Sequence, residues 1–270
     1  MSEKRAIEAV DEPVTVTSLV DDFRNLGIEA GDTLLVHSSL SALGWVCVDA
    51  QTVVDALMTV VTEEGTLVMP THSTQYSDPS VWSNPPVPES WIETIRTQRP
   101  PYRPETTPTR GMGAIVEAFR TYPAVRRSAH PTLSFAAWGA NAATIVDDHP
   151  LDNGLGEDSP LARVYDLDGS VLLLGVGHES NTSLHLAEYR AAIDQPATEN
   201  VAPVLEDGER IVARYTDIET DTDDFPDLGT AFEAEGGADV RSGTVGAANA
   251  TLLPQRPLVD FAVDWLEANR

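Results

Sequence analysis

The chain has 270 residues and a formal net charge of −26, from 43 Asp+Glu against 17 Lys+Arg. Such a surface repels nucleic acid and anionic membranes, which argues against both as partners. Hydrophobic residues make up 41%, as in ordinary globular chains with length enough for a sizeable core, and no apolar run reaches the roughly 18 residues of a membrane span.

The basic residues include a single lysine, Lys4, and the acids are spread over the whole chain. Steering of a cationic substrate would need acids around one cleft only. The spread instead predicts a halophilic protein, in which screening by salt relieves the self-repulsion. Cys47 is the only cysteine, so no internal disulfide forms, and Val46 and Val48 give it no basic neighbour to activate the thiol. The opening MSEKRAIEAVDEP is charged and has no apolar centre, unlike a signal peptide. A cytoplasmic location is expected.

Residues 1–16 are polar and are expected to fray. Leu19, Val20, Phe23 and Leu26 then recur at helical spacing, with Gly27 at the end. Thr33-Leu34-Leu35-Val36 is a continuous apolar run, as in a strand buried on both faces. Ala50 to Val61 repeats the helical stripe, and Thr66-Leu67-Val68-Met69 is a second buried strand, stopped by Pro70. This order indicates a βαβ unit with a parallel pair. Residues 71–108 carry eight prolines and the aromatics Tyr76, Trp82, Trp91 and Tyr102, and are expected to form a functional insertion or lid.

Helices are expected over 113–119, 140–146 and 159–165, with a small strand over 134–138. Val171 to Val176 is the third buried strand, and Thr182 to Ala192 the helix after it. Residues 201–216 alternate as a hairpin about Glu206-Asp207-Gly208-Glu209, an acidic loop follows, and a helix spans Val259 to Ala268. The fold class is α/β: a single domain over 1–270, with a central mostly parallel buried sheet flanked by helices, an insertion, and a C-terminal hairpin and helix.

All three buried strands end in loops carrying His and Ser: His37-Ser38-Ser39, His72-Ser73, and His178 to His185. Ligands of open α/β sheets bind beyond the carboxyl ends of the strands. One such loop alone reads equally as a helix cap; three together point to a site. There is no HExxH, G-x-S-x-G, Walker or G-x-G-x-x-G signature, so zinc, serine-hydrolase and nucleotide chemistry are unsupported, and no metal is expected. His185 precedes Glu188 at i, i+3 on one helix face. A carboxylate on one ring nitrogen leaves the other free as a general base.

Five ordered segments then carry a resemblance. They are Leu34 to Ser39, Gly65 to Pro70, Arg127 to Pro131, Asp158-Ser159-Pro160, and Leu172 to His178 with Asn181, Thr182 and His185 to Glu188. Together they are similar to the aminoglycoside 3-N-acetyltransferases, antibiotic-resistance acyltransferases that use acetyl-CoA as co-substrate. The resemblance implies that His185 is the base. It moves the base's carboxylate partner from Glu188 to Glu219, with Asp217 and Asp221 as neighbouring candidates. CoA contacts are implied for His37, Ser38, Ser39, Gly111, Met112, Arg127, Ser128 and His130, with Arg127 at a phosphate. An acceptor contact is implied for Asp221, and acceptor contacts are further expected at Glu188 and at Asp78 of the insertion. The implied reaction is direct acetyl transfer to the 3-amino group of a 2-deoxystreptamine-type acceptor. The alternative is a CoA-binding protein of the same fold that acts on another amine or is non-catalytic. Partners are therefore a small amine and acetyl-CoA; no oligomeric state follows from the sequence.

Overall fold

The computed structural model describes residues 3–235 and 239–270. In chain order it holds α1 Glu3–Glu8, α2 Val16–Leu26, β1 Thr33–Ser38, α3 Ala50–Val61, β2 Thr66–Pro70, α4 Glu89–Gln98, α5 Ala114–Phe119, β3 Arg126–Arg127, β4 Phe135–Gly139, α6 Ala142–Val146 and α7 Pro160–Asp166. It continues with β5 Ser170–Leu174, α8 Ser183–Arg190, β6 Ala197–Glu206, β7 Glu209–Ile218, α9 Phe225–Ala234, β8 Arg241–Val245, β9 Ala248–Pro254 and α10 Gln255–Asn269. No helix among these is long and apolar enough to cross a membrane.

One seven-stranded sheet has the order β3-β4-β2-β1-β5-β9-β8. Its centre, β2-β1-β5, is parallel, and Leu35 pairs with both Val68 and Val171. The flanking strands β4, β3, β9 and β8 run antiparallel to their neighbours. Side chains of a strand alternate between faces, and the three central strands divide accordingly. Leu34, Val36, Leu67, Met69, Leu172 and Leu174 pack with α2, α3 and α5 on one face. Leu35, Val68, Val171 and Leu173 pack with α6 to α10 on the other. Because both faces are covered, these strands read as unbroken apolar runs.

Local chemistry sets the helix ends. Thr15 caps α2 in a reciprocal box with Ser18, and Gly27 closes it at φ 99°. Ile28 N–H donates to the Phe23 carbonyl at 3.0 Å, the αL closure that glycine adopts without a Cβ penalty. The β6–β7 hairpin turns at Asp207 and Gly208, with φ of 51° and 82°, the signature of a two-residue Asp-Gly turn.

The N-terminal segment is more ordered than its polarity predicts. Met1 and Ser2 lie outside the described residues, but α1 is formed, Val14 is buried, and Val14 bridges to Val46. Strands β8 and β9 fall where the sequence shows no strand run. Arg241 to Thr244 are exposed, and the apolar positions at the start of β9 are only alanines, Ala248 and Ala250, so the strand signal is weak although the pairing is regular.

Candidate active site

The carboxyl ends of β1, β2 and β5 open onto one cavity of about 1040 Å³, at the upper end of small-molecule sites. His37, Ser38 and Ser39 reach it from β1, Pro70 and His72 from β2, and Asn181, Thr182 and His185 from the segment after β5. Gly111, Met112 and Gly113 form a further wall. Gly111 (φ 76°) has no atom within 4 Å of where a Cβ would sit, and Gly113 (φ 86°) has only the Ser38 carbonyl, at 3.7 Å. These glycines therefore expose backbone to a ligand. Ser38 Oγ and the Nε2 atoms of His37 and His72 are buried without hydrogen-bond partners, which a polar ligand would supply.

At the cavity edge His185 Nδ1 lies 2.5 Å from Glu188 Oε2. Glu188 is fully buried, and its Oε1 accepts from the Asp221 backbone N–H at 3.0 Å and from Arg270 Nη1 at 2.5 Å. The Phe225 ring lies 5.0 Å from the imidazole, centroid to centroid. A neutral His185 thus donates Nδ1–H to the carboxylate and keeps the Nε2 lone pair for the cavity. Burial and the neighbouring His185 lower the pKa of His37 to about 3, and burial with the neighbouring His185, His130, His37 and Arg127 does the same for His72. Both are neutral at pH 7 and place no positive charge beside His185. Among the described residues there is no group of three or more His, Cys, Asp or Glu that could hold a metal.

The description of the aminoglycoside 3-N-acetyltransferase family matches residues 35–267. The chain belongs to this family. It is 47% identical over 267 residues to the SPbeta prophage-derived aminoglycoside N(3')-acetyltransferase-like protein YokD of Bacillus subtilis, covering 98% of this chain and 97% of that one. It is 39% identical to aminoglycoside N(3)-acetyltransferase VII of Streptomyces paromomycinus, covering 99% and 96%. Among solved structures, AAC-IIIb in binary complex with CoASH superposes with a TM-score of 0.85 at 32% identity, covering 95% and 97%.

Within this acetyltransferase fold, His37, Ser38, Ser39, Gly111 and Met112 stand together on the cavity wall. Arg127, Ser128 and His130 do not. The Arg127 guanidinium is spent on the Thr71, Thr107 and Pro104 carbonyls and the Thr71, Ser73 and Ser134 hydroxyls. It staples the insertion to β2 and has no donor left for a phosphate. Ser128 Oγ accepts from Phe135 N–H and meets His149 Nδ1 at 2.9 Å. His130 Nδ1 accepts from the Thr132 and Leu133 N–H groups, and its Nε2 meets the Leu151 carbonyl. All three hold internal backbone rather than a ligand.

The acidic expectations change as well. Glu219 is exposed, its backbone N–H donates to the Pro196 carbonyl, and no hydrogen bond or ion pair joins it to His185. Glu188, one turn away on the same helix, takes that place and is buried beneath the ring instead of facing an acceptor. Asp217 is buried against Tyr189, and accepts from Gly154 and Ile218 N–H. Asp221 is exposed; its carboxylate accepts from Asp223 N–H, and it is not among the cavity's lining residues. Asp78 is engaged by Arg96 through two hydrogen bonds, at 2.8 and 2.7 Å. Partial burial pushes its carboxyl up, but the bonds from Arg96 and Ser80 outweigh this and hold it at about 2. Residues 74–108 contribute nothing to the cavity wall; the insertion packs on the hairpin instead, through Arg99 to Val201 and Tyr102 to Pro203. Sequence reasoning did not single out Glu3, Asp49 and Glu179, which give the lining its charge; among the described residues no Lys or Arg lines it.

Proposed function

We propose that this chain transfers an acetyl group from acetyl-CoA directly to the 3-amino group of a 2-deoxystreptamine-type acceptor, with His185 as general base. The observation that carries it is the Glu188–His185 pair at the edge of the cavity, in a chain of this family. When bound, acetyl-CoA supplies the acetyl group as a thioester. Ser38 Oγ, His37 Nε2 and the open backbone at Gly111 offer polar partners on the wall where such a ligand would lie. The acidic lining suits an acceptor carrying several ammonium groups.

An ammonium group is not nucleophilic, so the acceptor reacts as the free amine. As the N–C bond forms and the C–S bond breaks, Nε2 of His185 takes a proton from the nitrogen, directly or through one water. The departing thiolate takes that proton up, and His185 returns to its neutral form. Glu188 holds the ring in the tautomer that leaves Nε2 open and stabilises the imidazolium. Holding both substrates in one cavity supplies much of the rate by proximity, and no covalent enzyme intermediate is needed. We read the chain as a single-domain, cytoplasmic enzyme, and the dispersed acidic charge supports adaptation to high salt.

The test is thiol release from acetyl-CoA with a panel of aminoglycosides at high salt, beside calorimetry with CoA. His185→Ala is expected to abolish turnover and leave CoA affinity within about twofold, since the imidazole makes only its transition-state contribution. Absence of CoA binding by the native chain overturns the proposal.

A further inference from the structure

Glu188 is a buried carboxylate, and a carboxylate taken out of water is stable only when its lone pairs are matched. Two of its three partners are the His185 ring and a backbone N–H; the third is the only permanent cation, Arg270. The arginine comes from the end of α10, 82 positions along the chain, and lies outside residues 35–267. Four of its five N–H donors are engaged. Nη1 binds Glu188 Oε1; Nε and Nη2 hold the Asp224 carboxylate at 2.7 and 2.5 Å, and Nη2 also binds the Asp221 carbonyl at 2.7 Å. The guanidinium carbon sits 6.0 Å from the centre of the Phe225 ring, whose other neighbour is the His185 imidazole. The four side chains thus close a ring: Arg270 to Glu188, Glu188 to His185, His185 to Phe225, Phe225 to Arg270.

We propose that Arg270 is a positioning residue of the acetyl-transfer site, fixing Glu188 by one oxygen so that the other sets the tautomer and orientation of His185. This rests on the reading of His185 as the base. A planar guanidinium does this better than an ammonium, because its donors diverge at fixed angles and reach Glu188, Asp221 and Asp224 together. Without it Glu188 loses its anchor and turns toward solvent or toward other donors. His185 then samples rings and tautomers that do not present Nε2 to the amine. The loss falls on kcat, since Arg270 is not among the cavity's lining residues.

The experiment compares Arg270→Ala, Arg270→Lys and Asp224→Ala with the native chain, measuring kcat and KM for acetyl-CoA, CoA affinity, and the 15N spectrum of labelled histidine. Arg270→Ala is expected to lower kcat at least tenfold, with KM for acetyl-CoA and CoA affinity within about twofold. Its His185 signals are expected to shift from one Nδ1–H tautomer to a mixture. Arg270→Lys is expected to regain part of kcat, and added guanidinium to rescue the alanine variant. Asp224→Ala removes the arginine's outer partner only and is expected to cost less than a third of the Arg270→Ala effect. Unchanged kcat in a folded Arg270→Ala chain overturns the proposal. So does an equal loss in Asp224→Ala, which would make the arginine a loop anchor. If Arg270→Ala does not fold, the lysine variant decides by the same kcat and tautomer measurements. Turnover surviving in His185→Ala would instead defeat the base assignment itself, whatever Arg270 does.

Discussion

The imidazole of His185 and the carboxylate of Glu188 meet at 2.5 Å across one turn of α8, with the carboxylate fully buried and the ring at the cavity edge. An amide at position 188 keeps the shape but can turn its NH₂ toward Nδ1, which favours the wrong tautomer. Glu188→Gln is therefore expected to lower kcat by about 10²–10⁴-fold, with little change in KM. Glu219→Gln, at an exposed position away from the ring, is expected to stay within about twofold of native activity. Steady-state kinetics on the two variants side by side check this; the reverse ranking would return the role to Glu219.

Arg127 presents the opposite case, a cation that looks available in the sequence and is consumed in the fold. Replacing it by Met leaves the carbonyls of Pro104 and Thr107 without their donor, and the Thr71 carbonyl with Ser134 Oγ alone. Each buried acceptor left unsatisfied costs about 1–3 kcal/mol. A loss of several kcal/mol in stability by urea denaturation is expected, with CoA affinity unchanged below the transition. A stable variant with weakened CoA binding would place the guanidinium back at a phosphate.

The frame of the fold was legible because its strongest signals are periodic. The runs at Leu34, Leu67 and Leu172 are central strands covered on both faces, and Asp207-Gly208 allows little but a tight turn. The cavity's position followed from where those strands end. What escaped was set by long-range packing. Arg127 reads as a phosphate contact by resemblance, since nothing local reveals that carbonyls from residues 71, 104 and 107 converge on it. The pairing of His185 with Glu188 was visible in the i, i+3 spacing, and the resemblance drew attention to Glu219 instead. Arg270 carries no local signal at all; only the docking of α10 on α8 brings it to the site. Arg241 to Thr244 escaped because an edge strand with exposed side chains shows no apolar alternation.

Stability is expected to fall as pH drops below about 6.5, the ordinary histidine value. Burial lowers His37 and His72 to about 3 and His130 to about 4, and His149 also lies well below the ordinary value. With a depressed folded pKa, each binds a proton in the unfolded chain before the native one does. The stability is thus fully present above about 6.5 and is lost as pH falls toward 3 to 4, at roughly 1 kcal/mol per pH unit for each histidine. Asp217, whose pKa burial raises, works in the opposite sense and offsets part of the loss near pH 4. Urea midpoints from pH 8 to pH 5 check this, and a flat profile over that range would show that these rings are hydrated.

The charge of −26 makes a separate prediction about salt. At about 0.1 M the Debye length is about 10 Å, so carboxylates over much of the surface repel one another; at about 1 M it is about 3 Å and only near neighbours interact. The folded chain concentrates this charge more than the unfolded one, so screening favours folding. Raising KCl from about 0.1 M to about 2 M is expected to raise the melting temperature, and to do so more than for a family member with balanced charge. Ion pairs with both partners exposed, such as Arg256–Asp168 and Arg126–Asp147, lose little when screened. The buried Arg270–Glu188 pair is sheltered from salt, so turnover is expected to persist at concentrations that stabilise the fold. A melting temperature that falls with KCl would show that the exposed pairs, not the excess acids, dominate the surface energetics.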